Sequence, residues 1–110
     1  MAKSKKKLES EFQRKLIEEL QVLYPDALIY KNESKQGFPD LTVLYEDRWA
    51  LLECKREEHA DHRPNQDYYV NLANKMSFSR FVYPENKQEV LDELQQAFRS
   101  KRQACDPEPQ

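Results

Sequence analysis

Leu8, Phe12, Leu16, Leu20 and Leu23 recur at spacings of three and four, with Ile17 beside them, and this pattern predicts an amphipathic helix over residues 5–24. Tyr24-Pro25-Asp26 ends it, because the residue before a proline is pushed out of the helical region. Ala27-Leu28-Ile29-Tyr30 reads as a short strand and Asn32-Glu33-Ser34-Lys35-Gln36-Gly37 as a polar loop. A second strand follows over Asp40–Tyr45, then a tight turn at Glu46-Asp47 and a third strand over Arg48–Lys55, so the last two form an antiparallel hairpin. Pro64-Asn65 suits the start of a helix running to about Lys75. Phe78–Tyr83 is a fourth strand, and Pro84-Glu85-Asn86 caps a last helix with Val90, Leu91, Leu94 and Phe98 on one face. The predicted order is α-β-β-β-α-β-α. Hairpin strands beside helix-linked strands indicate an α/β fold with a mixed four-stranded sheet flanked by helices.

A chain of 110 residues is expected to form one domain, here residues 8–101, between a basic arm over 1–7 and a disordered tail over 102–110. Charged residues make up 35% of the chain against 38% hydrophobic, yet the apolar ones fall into periodic runs, which separates it from a disordered polyelectrolyte. The formal charge of −2 argues against a protein that coats nucleic acid by bulk electrostatics, so local charge carries any such contact. Lysines 3, 5, 6 and 7 make the N-terminal arm basic, and the commoner behaviour of such an arm is a solvated, frayed start. The two cysteines, Cys54 and Cys105, are too few and too unlike in context for a disulfide framework and read as reduced thiols. No apolar stretch approaches the ~18–20 residues of a membrane span, and the first residues lack a signal-peptide core. A cytoplasmic protein with no membrane partner is the expectation.

The chemistry gathers where the hairpin opens. With the turn near Asp47, Asp40 and Glu53 lie almost opposite each other, within reach of one cation. Side chains alternate along a strand, so Lys55 shares the face of Glu53 while Cys54 points the other way, into the core. Paired carboxylates with an adjacent ammonium are what metal-assisted phosphodiester cleavage requires. Ending the apolar run Trp49-Ala50-Leu51-Leu52 in two charges is costly unless they serve a metal or pair with each other. The alternative is a strand that simply emerges into water at Glu53. Oxygen-only ligands favour Mg²⁺ or Mn²⁺ over Zn²⁺. His59 and His62, in the charged and mobile-looking segment 56–63, lack the cysteines of a zinc site and read as exposed.

Gly37-Phe38-Pro39-Asp40 and Glu53-Cys54-Lys55, preceded by a helix carrying Glu9, resemble the PD-(D/E)xK nuclease superfamily, in particular the virus-type replication-repair nucleases, Holliday-junction-resolvase relatives and small phage-type nucleases. The resemblance covers roughly residues 8–98. It implies a restriction-endonuclease-like core, with Asp40 and Glu53 binding Mg²⁺ or Mn²⁺, Lys55 assisting catalysis, and an acidic residue of the first helix, Glu9, completing the site. It also implies a glutamine and an aromatic on the helix after the lysine, where Gln66 and Tyr69 stand; packing against the sheet is the other explanation for Tyr68 and Tyr69. Lys31, Ser34 and Lys35 are candidates for phosphate contact, as a solvated polar loop is the alternative. The partner implied is DNA, with a branched junction, a flap, a nick, a single strand and ordinary duplex all open as its form; the resolvase relatives usually form symmetric dimers, so a homodimer is a further candidate partner. Two rival readings are a catalytically silent domain of the same fold and an interaction protein using Trp49 and the Tyr/Phe-rich surface.

Overall fold

The computed structural model describes residues 4–33 and 36–105. Its elements are α1 (Lys5–Leu23), β1 (Leu28–Lys31), β2 (Leu41–Tyr45), β3 (Arg48–Cys54), α2 (Pro64–Met76), β4 (Phe78–Val82) and α3 (Lys87–Cys105), in the order the periodicity predicts. The strands form one sheet, β1-β2-β3-β4. β1, β2 and β3 meander antiparallel, and β4 lies parallel to β3 because α2 carries the chain back across the sheet. The fold is therefore α/β with a mixed sheet.

Local chemistry sets the boundaries. Ser4 caps α1, its Oγ accepting from the Lys7 amide at 3.1 Å. After Pro25 the Ala27 amide turns back to the Tyr24 carbonyl at 3.0 Å, which keeps Ala27 out of the ladder and starts β1 one residue later than expected. Between β2 and β3, Glu46 adopts a left-handed φ of 57°, the sense of twist a two-residue hairpin needs. At the other end of the chain α3 continues to Cys105, past the point near Lys101 where the sequence suggests it stops.

Alternation along the strands divides the sheet into two faces. Leu41, Val43, Ala50, Leu52, Cys54, Phe78 and Val82 point to one face, where Leu16 and Leu20 of α1 and Val90, Leu91, Leu94 and Phe98 of α3 close the core. Each fully buried leucine there contributes about 1.5–3 kcal/mol of transfer free energy. Leu8 and Leu23, at the two ends of the α1 stripe, stay exposed, so only the middle of that helix packs on the sheet. The second face is covered by α2 over β3 and β4 only. Leu28, Tyr30 and Leu44 on the remaining half are exposed. Among the described residues no helix is long and apolar enough to cross a membrane.

Candidate active site

The β2–β3 register pairs Leu41 with Leu52, so the next position outward sets Asp40 against Glu53, as the hairpin arithmetic anticipates. Asp40 precedes β2, and its Oδ2 accepts from the Cys54 amide at 2.9 Å. A backbone donor thus fixes the carboxylate at the mouth of the hairpin. The approach to Asp40 is fastened as well: the Asn32 side-chain amide donates to the Pro39 carbonyl at 3.0 Å and to Thr42 Oγ1 at 2.8 Å. Gly37, at φ 86°, lies so close to Asn65 that a Cβ would sit 2.3 Å from that side chain. The Asn65 side-chain amide donates to the Gln36 carbonyl at 3.2 Å, which ties the loop to the start of α2.

Glu53 is 2% exposed and Lys55 6% exposed, so the two charges at the end of β3 do not emerge into water. Gln66 connects them. Its Nε2 donates to Glu53 Oε2 at 3.0 Å, while its Oε1 accepts from Lys55 Nζ at 2.7 Å and from the Arg63 amide at 3.0 Å. Lys55 Nζ also donates to the Asp61 carbonyl at 2.9 Å. Glu53 Oε1 is buried without a hydrogen-bond partner. Cys54 points the other way and is fully buried in the core, as strand alternation requires.

Three carboxyl groups sense one another here. Burial pushes Glu53 up to about 8, and the nearby charge of Asp40 adds to this, against the opposing pull of Lys55. Asp40 is raised by burial, which outweighs the Cys54 amide and the charges of Lys55 and Lys31. Glu9, reaching in from the first turns of α1, is raised by burial and then by Asp40, with Lys55, Arg56 and Arg63 acting in the opposite direction. Burial, more than mutual repulsion, thus favours the protonated forms of the three carboxyls, and a cation set among them would favour ionisation. Among the described residues no group of three or more His, Cys, Asp or Glu side chains is placed to hold a metal ion. The donors that are present fit one all the same: they are hard carboxylate oxygens, and the unpartnered Glu53 Oε1 is an acceptor suited to a cation or a proton.

The structure thus brings Glu9, Asp40, Glu53, Lys55 and Gln66 to one end of the sheet. Lys31 is exposed on the α1 side, close enough for its charge to act on Asp40. Tyr69 packs against Phe38 with ring centroids 5.6 Å apart, whereas Tyr68 is largely exposed. Ser34 and Lys35 lie outside the described residues. His59 and His62 are both exposed, as the sequence suggests, and His62 also stacks on Phe81 at 4.0 Å and meets Asp67 at 3.0 Å, which ties the loop after β3 to α2 and β4. Sequence reasoning missed Arg56, Arg63 and the Asp61 carbonyl. The charged run 56–63 was the available signal, and it reads as solvent-facing until the path of α2 is known. No family model, no curated protein and no solved structure matches the chain.

Proposed function

We propose that the chain is a metal-dependent nuclease of PD-(D/E)xK type that hydrolyses DNA phosphodiester bonds. The observation that carries this reading is the buried Glu53 carboxylate, with one oxygen unpartnered, set opposite Asp40 and linked through Gln66 to an equally buried Lys55. A structural ion pair would bring Lys55 directly onto Glu53. Instead a neutral amide stands between them and leaves a carboxylate oxygen open.

Asp40 and Glu53, with Glu9 beside them, would hold Mg²⁺ or Mn²⁺, which when bound supplies Lewis-acid polarisation of the phosphate and a more acidic water. Lys55 offers a fixed ammonium for the negative charge that develops on phosphorus oxygens, and its two acceptors hold it in place before substrate arrives. Gln66 keeps the Glu53 and Lys55 side chains in one geometry. Arg56, Arg63 and Lys31 make the surroundings of the acids positive, which suits a DNA backbone despite the overall charge of −2.

The test is a cleavage panel of branched, nicked, single-stranded and duplex DNA with Mg²⁺ or Mn²⁺, run beside Asp40→Asn. Metal-dependent cutting that disappears in the folded variant is the expected result. Cation and DNA binding without cleavage of any substrate would favour the silent binding domain. Cutting by Asp40→Asn at the wild-type rate would remove the site from the reaction.

A further inference from the structure

The two edges of the sheet are treated differently. On β4 the even-numbered residues face β3, since the Val82 carbonyl accepts from the Lys55 amide at 2.8 Å, so Ser79 and Phe81 turn their backbone groups outward. Side chains cover three of these four groups. The Ser79 amide donates to Asn74 Oδ1 at 3.2 Å, its carbonyl accepts from Arg80 Nη1 at 2.9 Å, and the Phe81 carbonyl accepts from Asn86 Nδ2 at 3.0 Å. Such capping is how a protein stops an edge from recruiting another strand.

On β1 nothing comparable happens. The Asn32 amide donates to the Asp40 carbonyl at 2.7 Å, which places 32, 30 and 28 in the β2 ladder and turns the amides and carbonyls of Ile29 and Lys31 outward. No side chain among the described residues caps them. Leu28 and Tyr30, the two β1 residues on the sheet face that α2 leaves bare, are each 68% exposed. An open concavity of about 500 Å³ borders the edge at Tyr30, Lys31, Asn32 and Glu33, so none of the described residues blocks the approach there.

We propose that β1 pairs antiparallel with β1 of a second copy of this chain, joining two four-stranded sheets into one of eight strands across a two-fold axis. The occupant is a second copy because β1 complements itself, and in one register above all. Setting Ile29 against Lys31 of the partner subunit places all outward groups of both residues in main-chain hydrogen bonds and puts the two Tyr30 side chains together at the axis. A shift one way would need the Ala27 amide, which is already bonded to the Tyr24 carbonyl. A shift the other way would set the two Lys31 side chains directly opposite each other, a like-charge pair. The chosen register avoids both and meets no charge repulsion on the Leu28/Tyr30 face. A short edge pairing of this kind buries less than the ~1,200 Å² of a standard interface, so a dimer dissociating in the micromolar range is expected.

The pairing rests on strand geometry and not on the nuclease reading. Taken together with that reading, it has one consequence. A two-fold normal to the sheet keeps both Glu53 sites on the same face, and six strands from one β3 to the other span about 24 Å at ~4.8 Å per strand. Two centres so placed can cut two strands of one substrate.

Sedimentation equilibrium of the full chain without DNA or metal, from 1 to about 300 µM, tests the pairing, with Tyr30→Glu and Tyr30→Cys as variants. Wild type should pass from monomer to dimer, and Tyr30→Glu, altered at an exposed position, should keep its circular dichroism spectrum and stay monomeric. In a Cys105→Ser background under a mild thiol oxidant, Tyr30→Cys should cross-link, because facing residues of a non-hydrogen-bonded pair stand ~4.5 Å apart at Cα, within disulfide range. Leu28→Cys should cross-link at least tenfold more slowly, its two copies being about 14 Å apart in this register. A wild type that remains monomeric, a dimeric Tyr30→Glu, or equal cross-linking at 28 and 30 would overturn the proposal. None of these results depends on whether the protein cuts DNA.

Discussion

Replacing Glu53 by glutamine isolates the energetics of the site from any reaction it supports. In the unfolded chain this carboxyl ionises near its ordinary 4.5, whereas in the fold burial and the charge of Asp40 hold its proton up to about 8. Between those values the folded state binds more protons than the unfolded state, so folding stability falls as pH rises from about 4.5 through about 8 and levels off above it. At ~1.36 kcal/mol per pH unit the full difference is about 4–5 kcal/mol. Relaxation of the site and entry of water reduce this to ~2–3 kcal/mol. Glu53→Gln keeps an acceptor for Gln66 Nε2 and removes the titration. In EDTA, urea unfolding at pH 5, 7 and 9 should therefore show the wild type losing stability with pH and the variant losing ~2–3 kcal/mol less, with unchanged m-values. A smaller decline remains in both, because Asp40 and Glu9 are also raised. Parallel stability curves for the two proteins over that pH range would refute the assignment of the shared charge to Glu53.

Lys55→Ala tests a catalytic against a binding role. Because Nζ is held by Gln66 and Asp61, the variant should bind DNA within a few-fold of wild type, yet cut it at least ~10²-fold more slowly at saturation in single-turnover assays. Recovery of the full rate at high DNA concentration would make it a binding residue. Gly37→Ala forces a side chain into a left-handed φ and against Asn65, so thermal unfolding should show a loss of about 1–3 kcal/mol, and cleavage should fall further than stability does because Asp40 follows this loop. A variant as stable and active as wild type would show that the loop is not anchored at that point.

Much of this was legible because period and turn chemistry act locally. The three- and four-residue spacing from Leu8 to Leu23 gave α1, and the Glu46-Asp47 turn fixed the register that sets Asp40 against Glu53. Cys54 was placed in the core by alternation alone. Edges were less legible, since a tertiary hydrogen bond decides whether Ala27 joins β1 or turns back to Tyr24. The company that Lys55 keeps was legible only in part: the family resemblance offered Gln66 as a candidate for the site, but nothing in the sequence pointed to the Asp61 carbonyl. Gln66 and Asp61 reach it only through the loop after β3 and the first turn of α2, whose path depends on packing. The same holds for the bare half of the second sheet face: Leu28 and Tyr30 look like ordinary strand residues until α2 is seen to stop at β3.

The features of the site pull against one another in a way that gives Gln66 its importance. Glu53 is stable in the fold when it carries a proton, and a proton on Oε1 is also what blocks a cation from that oxygen. A direct Lys55–Glu53 ion pair would have relieved the buried charge without either, lowering the carboxyl towards its usual range and closing the site to metal. By taking Lys55 on its carbonyl and Glu53 on its amide, Gln66 keeps the ammonium and the carboxylate near each other without contact. The Arg63 amide, donating to that same carbonyl oxygen of Gln66, fixes the glutamine at the first turn of α2. On the proposed reading a cation held by Glu53 would take the place of its proton, so affinity for Mg²⁺ should rise with pH over the range in which the metal-free fold weakens.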